Sequence, residues 1–167
     1  MWRRKRRESA WTGMAAGLIG GLLGSVAIGK FDGWWAEKTK SRMIEKGTES
    51  TVNAAQAISE NVLQHSLTEE EKPKAGSAVH YAFGGAMGAL YGAVTAMEPR
   101  LAAGFGAPFG ASVFTGASAI AVPALGLGEP ITKSRLSDVV GEMLGHAVYG
   151  VVTDLTRRGV VRAVRAI

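Results

Sequence analysis

The fold is decided by residues 11–29, WTGMAAGLIGGLLGSVAIG, which form a run of nineteen residues without a charged side chain. A helix needs about 20 predominantly apolar residues to cross the hydrocarbon core of a bilayer. A helix on the surface of a soluble protein, by contrast, carries a polar face along its length. The run therefore predicts a membrane-spanning helix. The alternative is a soluble all-α core built from glycine-rich helices.

Three later stretches have the same character. Residues 80–97 and 101–128 contain no Asp, Glu, Lys or Arg, and residues 139–152 contain Glu142 as their one charged side chain. The predicted fold is all-α, a polytopic membrane helical bundle of about four transmembrane helices plus one amphipathic extramembrane helix. The predicted spans are 11–29, 77–97, 101–128 and 137–156.

The first span follows a basic tail, residues 1–10, so it also resembles a secretory signal peptide with a small-residue cleavage site at 25–27. The apolar run is longer than the usual core of about 7–15 residues, which favours an uncleaved anchor. A second basic tail, residues 157–167, follows the last span. Four spans put both tails on one side of the membrane, and the positive-inside rule predicts that this side is the cytoplasm.

The net charge is +5, and the Lys and Arg side chains cluster beside the predicted spans. Anionic lipid headgroups explain such clusters, at about 1 kcal/mol for each nearby cation. The sequence has no basic face with interleaved aromatic residues, so it does not indicate nucleic-acid binding. The predicted headgroup contacts are Arg3, Arg4, Lys5, Arg6, Arg7, Arg157 and Arg158.

Residues 30–76 form the one sizeable extramembrane segment of the prediction. Trp34 and Trp35 follow the first span directly, as interfacial anchors do. Residues 48–66 predict an amphipathic helix, capped by Thr48, that lies on the membrane or against a protein. Because this helix lacks a dense Lys and Arg face, protein contact is favoured. Its apolar face comprises Val52, Ala55, Ile58, Val62 and Leu63.

Glycines recur at four-residue spacing in three of the spans, which leaves flat strips where another helix backbone can approach closely. Such strips pack either within one bundle or between copies of the chain and partner proteins. The strip residues are Gly13, Gly17, Gly21, Gly84, Gly88, Gly92, Gly141 and Gly145. The third span also contains Pro108 and Pro123, which predict a kink or a re-entrant piece.

Ionisable groups within spans are costly and indicate function by default. The candidates are His80, Glu142, His146 and Asp154. Glu142 and His146 lie four residues apart on one helix face, and counting from the span ends puts Glu142 at a depth similar to His80. The predicted His80–Glu142 pair could move protons, bind a cation or simply hold helices together.

The sequence argues against several classes of function. There is no Cys, so disulfides and cysteine-liganded zinc are excluded. The His spacing matches neither a zinc protease nor paired haem ligands, and the Gly-rich stretches lack the Lys of a phosphate-binding loop. We therefore expect no enzyme activity, no cofactor and no resident metal.

The second half of the chain resembles the YagU-like family of bacterial inner-membrane proteins, a family of unknown function. The resemblance covers about residues 80–158. It rests on HYAFGGAMGALYG, MEPRLAAGFGAPFG, VPALGLGEP and, most specifically, EMLGHAVYGVVTDLTRR. It implies a multi-span helical fold in the bacterial plasma membrane and brings no activity or substrate. The segment 30–76 departs from the family, because it lacks the Pro-rich stretch associated with that family.

These observations predict a small inner-membrane protein that acts as a structural or interaction subunit, packed through its glycine strips. Its expected partners are anionic lipids and either further copies of itself or other membrane proteins. The alternative is a proton- or ion-conducting oligomer built around the His/Glu cluster.

Overall fold

The computed structural model describes residues 9–166, and these residues are all-α. Five helices organise them, two of which contain π-helical turns. They are α1 (Ala10–Thr39), α2 (Met43–Ile58, continued by the π-turn Ser59–Leu63), α3 (Lys72–Met97), α4 (Ala107–Val113, the π-helix Phe114–Ala121 and the α-turn Val122–Ala124) and α5 (Leu136–Ala166). Short 3-10 segments, Pro99–Gly106 and Ile131–Lys133, precede α4 and α5.

Helices α1, α3, α4 and α5 run up, down, up and down, with α1 packed between α3 and α5. Gly17 of α1 faces Gly88 of α3, whereas Gly20 of α1 faces Thr153 of α5. Helix α4 packs on α5. We call the end of the bundle that holds Ala10, Met97 and Ala166 end A, and the opposite end, which holds Thr39 and Leu136, end B.

The bundle interior is rich in small and polar residues, and its main apolar part is a cluster of Ile28, Val113 and Tyr149. The largest fully buried side chains are Thr95, Thr153, Asp154 and Ser25. Large apolar side chains lie on the outside instead. On α1 these are Leu18, Ile19, Leu22, Leu23 and Val26; on α3 they include Phe83, Leu90 and Val94; on α5 they include Met143, Leu144 and Leu155. Many large apolar side chains thus face outward, whereas such side chains are mostly buried in a soluble protein.

Helix α2 lies across end B. It begins at Met43, whose backbone N–H donates to the Ser41 hydroxyl at 3.2 Å. The Thr48 cap predicted from the sequence is therefore wrong, because Thr48 lies within the helix. Ala55 is buried and Val52 contacts α3 at Gly76, but Ile58, Val62 and Leu63 of the predicted apolar face are exposed.

A capping turn leads from α2 into α3. The Glu71 carboxylate accepts hydrogen bonds from the backbone N–H of Thr68 at 2.9 Å and from its hydroxyl at 3.0 Å, and His65 Nε2 lies 3.2 Å away. The backbone N–H of Thr68, followed by the His65 ring, lowers the pKa of Glu71. This turn sets the start of α3 at Lys72.

The third predicted span, 101–128, is not one helix. Gly104, Phe105 and Gly106 have left-handed backbone conformations, with φ of 66°, 53° and 83°, and they separate the 3-10 segment from α4. Pro108 sits in the first turn of α4, where a missing N–H is tolerated. The break lies before the proline, at glycines that can take positive φ.

The other helix ends also differ from the predicted spans. Helix α1 continues to Thr39 rather than ending at Gly29, so Trp34 and Trp35 lie on the helix itself. The predicted basic tail 157–167 is helical to Ala166, because α5 is a single helix of 31 residues. The basic residues at 3–7 lie outside the described residues.

Within residues 9–166, two helical segments are long and apolar enough to cross a bilayer, Ala10–Thr39 and Pro99–Ala124. Helices α3 and α5 do not meet the same criterion of length and mean hydropathy. Both carry inward-facing glycine and polar side chains, which reduce their average hydropathy.

Candidate functional site

Backbone-to-backbone contact between glycines joins α1 to α3. A Cβ atom added to Gly88 would fall 2.6 Å from the Cα atom of Gly21, and one added to Gly17 would fall 2.9 Å from the Cα atom of Gly92. Gly13 lies against Gly92 in the same way. The two predicted strips on these helices therefore face one another within one chain.

The glycines of α5 have side chains of α1 and α2 for neighbours. Gly141 lies under the Trp35 ring, and a Cβ atom added to Gly141 would fall 2.8 Å from Met43 Sδ. The Trp35 indole Nε1–H donates to the backbone carbonyl of Ser137 at 3.1 Å. Gly145 lies against Ile28 and Asp32. The tight fit to α1 explains why α5 carries glycine at these two positions.

His80 bonds to α1 and does not bond to Glu142. Its Nε2 lies 3.2 Å from the backbone carbonyl oxygen of Ser25. Glu142 and His80 both lie within electrostatic range of the His146 ring. Among residues 9–166 no ion pair joins His80 to Glu142. The structure thus brings the three predicted residues into one region near end B without the predicted direct pair.

His146 is oriented by its own helix. Its Nδ1–H donates to the backbone carbonyl of Glu142 at 2.8 Å, and its ring lies 5.7 Å from that of Phe114. A donating Nδ1 leaves Nε2 as the acceptor of a neutral imidazole. In this tautomer His146 can take up a proton at Nε2.

Asp32 is a member of this region that the sequence analysis missed. Its Oδ1 is buried and has no hydrogen-bond partner within the described residues. That atom lies 2.5 Å from the position a Cβ on Gly145 would occupy, and the carboxyl is within electrostatic range of Glu142. The helical spacing of Ser25, Ile28 and Asp32 could have revealed it. The prediction of an extramembrane segment after Gly29 removed it from consideration.

Asp154 is fixed at the other end of the interior by two arginines. It is fully buried, and its Oδ1 accepts from Arg157 Nη2 at 3.3 Å while its Oδ2 accepts from Arg158 Nε at 2.6 Å. Arg158 Nη2 also donates to the carbonyl of Ala102 at 2.6 Å. The Arg157 guanidinium lies 5.9 Å from the centre of the Tyr91 ring. These contacts join α3, α5 and the 3-10 segment at end A.

Of the two arginines, Arg157 does not sit as predicted from the sequence. Arg157 is 6% exposed and turned inward to Asp154, rather than outward to lipid headgroups. Arg158 is partly exposed and reaches the surface beside Phe105, whose ring centre is 5.4 Å from its guanidinium carbon. The short spacing Asp154-Arg157-Arg158 is an i, i+3 and i+4 set, which could have predicted the ion pairs.

Two groups of ionisable side chains lie toward opposite ends of the bundle. Among residues 9–166, no three His, Asp or Glu side chains come close enough together to hold a metal ion. The region near end B offers two carboxylates, of Asp32 and Glu142, and two imidazoles, of His80 and His146. The region at end A offers a carboxylate neutralised by guanidinium groups.

Comparison with known proteins identifies a family. A family model described as "Protein of unknown function (DUF1440)" matches residues 40–155, which include α2, α3, α4 and most of α5. No curated protein matches the chain, and no solved structure does. Because the match extends over more than half of its length, the chain belongs to the DUF1440 family of proteins of unknown function.

Proposed function

We propose that this chain is an integral inner-membrane protein of four spanning helices that acts as a structural or interaction subunit. The observation that carries the proposal is the distribution of side chains. Large apolar residues cover the outside of α1, α3 and α5, while the interior is rich in glycine, Ser, Thr and Asp. In a bilayer this arrangement is favourable, because lipid chains solvate the outer residues and small residues let helices pack closely.

The distribution also supports spans at α3 and α5, which are less apolar on average. An average over all residues of a helix counts the face that packs inside as well as the face that meets lipid. On α3 the inward face is mainly glycine, whereas Phe83, Leu90 and Val94 point outward. The outward face decides whether such a helix is stable in lipid.

The proposed topology has both ends in the cytoplasm. The four antiparallel helices bring Ala10 and Ala166 to end A, and Arg157, Arg158, Arg162 and Arg165 also lie toward that end. The basic residues at 3–7 precede α1. The positive-inside rule then supports a cytoplasmic end A, and the YagU-like resemblance supports the bacterial plasma membrane.

The interaction face we propose is on α4. The strips on α1 and α3 are occupied by each other, so they offer nothing to a partner. On α4, by contrast, Ser112, Thr115 and Gly116 are exposed, and a Cβ on Gly116 would meet no atom within 4 Å. Both hydroxyls donate to backbone carbonyls of their own helix, at 2.7 and 2.9 Å. Small residues at four-residue spacing suit close packing of another helix.

Gly116→Leu is expected to remove the partner and leave the fold intact, because the added side chain meets open space within the chain. The mass of the native particle in lipid nanodiscs, with co-purifying proteins identified, measures the change. Gly159→Leu is the matched control, since Gly159 is also free of contacts. Equal particle mass and equal recovery of partners for the two variants would contradict an interface on α4.

A second candidate function, proton or ion conduction, is favoured by the line of polar groups through the interior. From end B it begins with Asp32, Glu142 and His146. It continues through Ser25, Tyr149 and Thr153 to Asp154. The Tyr149 hydroxyl donates to the carbonyl of Gly84 at 2.7 Å, and the Thr153 hydroxyl donates to the carbonyl of Tyr149 at 2.7 Å. Ionisable and hydroxyl side chains inside a helical bundle are the groups that a proton path uses.

For this second function, Glu142→Gln and Asp32→Asn are each expected to abolish proton flux into vesicles containing the purified chain. Each change removes a carboxylate that can carry the proton at end B. A pH-sensitive dye inside the vesicles measures the flux, and Glu37→Gln, at an exposed position of α1, is the control. Flux equal to wild type in both variants would exclude a conducting role for the cluster.

A further inference from the structure

An open groove of about 350 Å³ lies at end A, where α3 gives way to α4. It is lined by Pro99, Arg100, Ala103, Phe105 and Arg158, among others. We propose that this groove binds the headgroup phosphate of an anionic phospholipid. The proposal rests on the proposed membrane location, and it adds a specific ligand and a specific site.

The groove carries two guanidinium groups of different character. Arg158 is held in place by Asp154 and by the carbonyl of Ala102, so its position is set before any ligand arrives. The Arg100 side chain is 94% exposed, with Glu98 at 3.9 Å as its neighbour. Guanidinium groups match the geometry of phosphate oxygens. One buttressed guanidinium and one exposed guanidinium on the same groove can meet a phosphate from two sides.

The backbone of the groove is built in a conformation with a local cost. Phe105 has φ of 53°, a left-handed value that L-residues with a bulky side chain rarely adopt. Gly106, the next residue, is pressed against the carbonyl of Gly150 on α5, so no side chain fits there. The contact with α5 fixes the turn. This left-handed turn places the Phe105 ring against the guanidinium of Arg158.

Exposed apolar side chains beside the arginines favour a lipid over a free phosphate ion. Met97 is 70% exposed, Phe105 61% and Leu101 57%. Phe105 lines the groove, and Met97 and Leu101 lie within two residues of lining residues along the chain. A soluble anion makes no use of them, whereas the acyl chains of a phospholipid would cover them while its phosphate meets Arg100 and Arg158. The groove therefore combines charge and apolar surface as a lipid headgroup site does.

The test compares binding of phosphatidylglycerol and phosphatidylcholine to the full chain in detergent micelles, by native mass spectrometry and by the rise in melting temperature. We expect a preference for phosphatidylglycerol. Arg100→Gln should weaken its binding about tenfold, the effect of losing one charge-assisted hydrogen bond. Arg162→Gln is the control, because Arg162 is exposed toward the same end and is not part of the groove.

Three outcomes would overturn the proposal. They are equal binding of the two lipids, equal weakening by Arg100→Gln and Arg162→Gln, and stabilisation by inorganic phosphate as large as that by phosphatidylglycerol. The last outcome would indicate a soluble anion instead of a lipid. Insertion into vesicles is measured in parallel. A chain that inserts without lipid preference contradicts the groove alone, whereas a chain that fails to insert contradicts the membrane location itself.

Discussion

Gly88→Leu is expected to separate α1 from α3 and to lower the melting temperature of the bundle by about 10 °C. The first added atom would fall 2.6 Å from the Cα atom of Gly21 and 2.8 Å from its nitrogen. Backbone atoms of a helix cannot move aside as a flexible side chain can. The clash should therefore cost about 3 kcal/mol or more. This loss exceeds the roughly 1 kcal/mol that replacing a helical glycine returns.

Thermal unfolding of the purified chain in nanodiscs measures the change. Gly29→Leu is the matched control, because Gly29 is exposed on α1 and a Cβ there meets no atom within 4 Å. We expect the control to melt at or slightly above the wild-type temperature. A Gly88→Leu variant that melts with the control would show that the two helices do not pack through these glycines.

Asp154→Leu is the second change with a large expected effect. The carboxylate is fully buried and pairs with Arg157 and Arg158, so its removal takes away the negative charge that both guanidinium groups contact. Breaking a buried ion pair from one side costs about 3–5 kcal/mol. The same measurement of thermal unfolding applies. Asp154→Asn keeps the shape of the side chain and removes its charge, so it should fall between wild type and Asp154→Leu.

A double variant separates the charge effect from a packing effect. Combining Asp154→Leu with Arg157→Met removes both buried charges, and part of the lost stability should return. If the double variant is as unstable as the sum of the two single variants, the ion pair does not account for the loss. If Asp154→Leu melts at the wild-type temperature, the ion pairs of Asp154 with Arg157 and Arg158 do not stabilise the bundle.

The sequence predicted the helical class and the inward glycines because both depend on local patterns. Gly84, Gly88 and Gly92 recur at a spacing that defines one face of a helix wherever that helix packs. Which helix they would meet depends on topology, so the pattern left open both packing within the chain and packing between copies or with partner proteins. The structure assigns the partner of Gly88 to α1.

The details that the sequence did not predict depend on contacts between distant residues. Helix α1 continues through Asp32 because Trp35 bonds to Ser137 on α5, and α2 begins early because Ser41 meets both Met43 and Asp138. Arg157 turns inward because Asp154 lies one turn before it in a buried position. From the sequence, basic residues after a span were predicted to contact lipid headgroups. That rule does not consider a buried carboxylate one turn earlier on the same helix.

The position of α1 between two partners has a consequence for how the chain assembles during synthesis. One face of α1 is covered by α3, but Gly20 and Gly24 pack against Thr153 and Tyr149 of α5, which follows the other described helices along the chain and is synthesised after them. Until then α1 exposes a bare strip of backbone. A chain interrupted before Leu136 would retain that open strip, which gives a quality-control protease a feature by which to distinguish unfinished chains from complete ones.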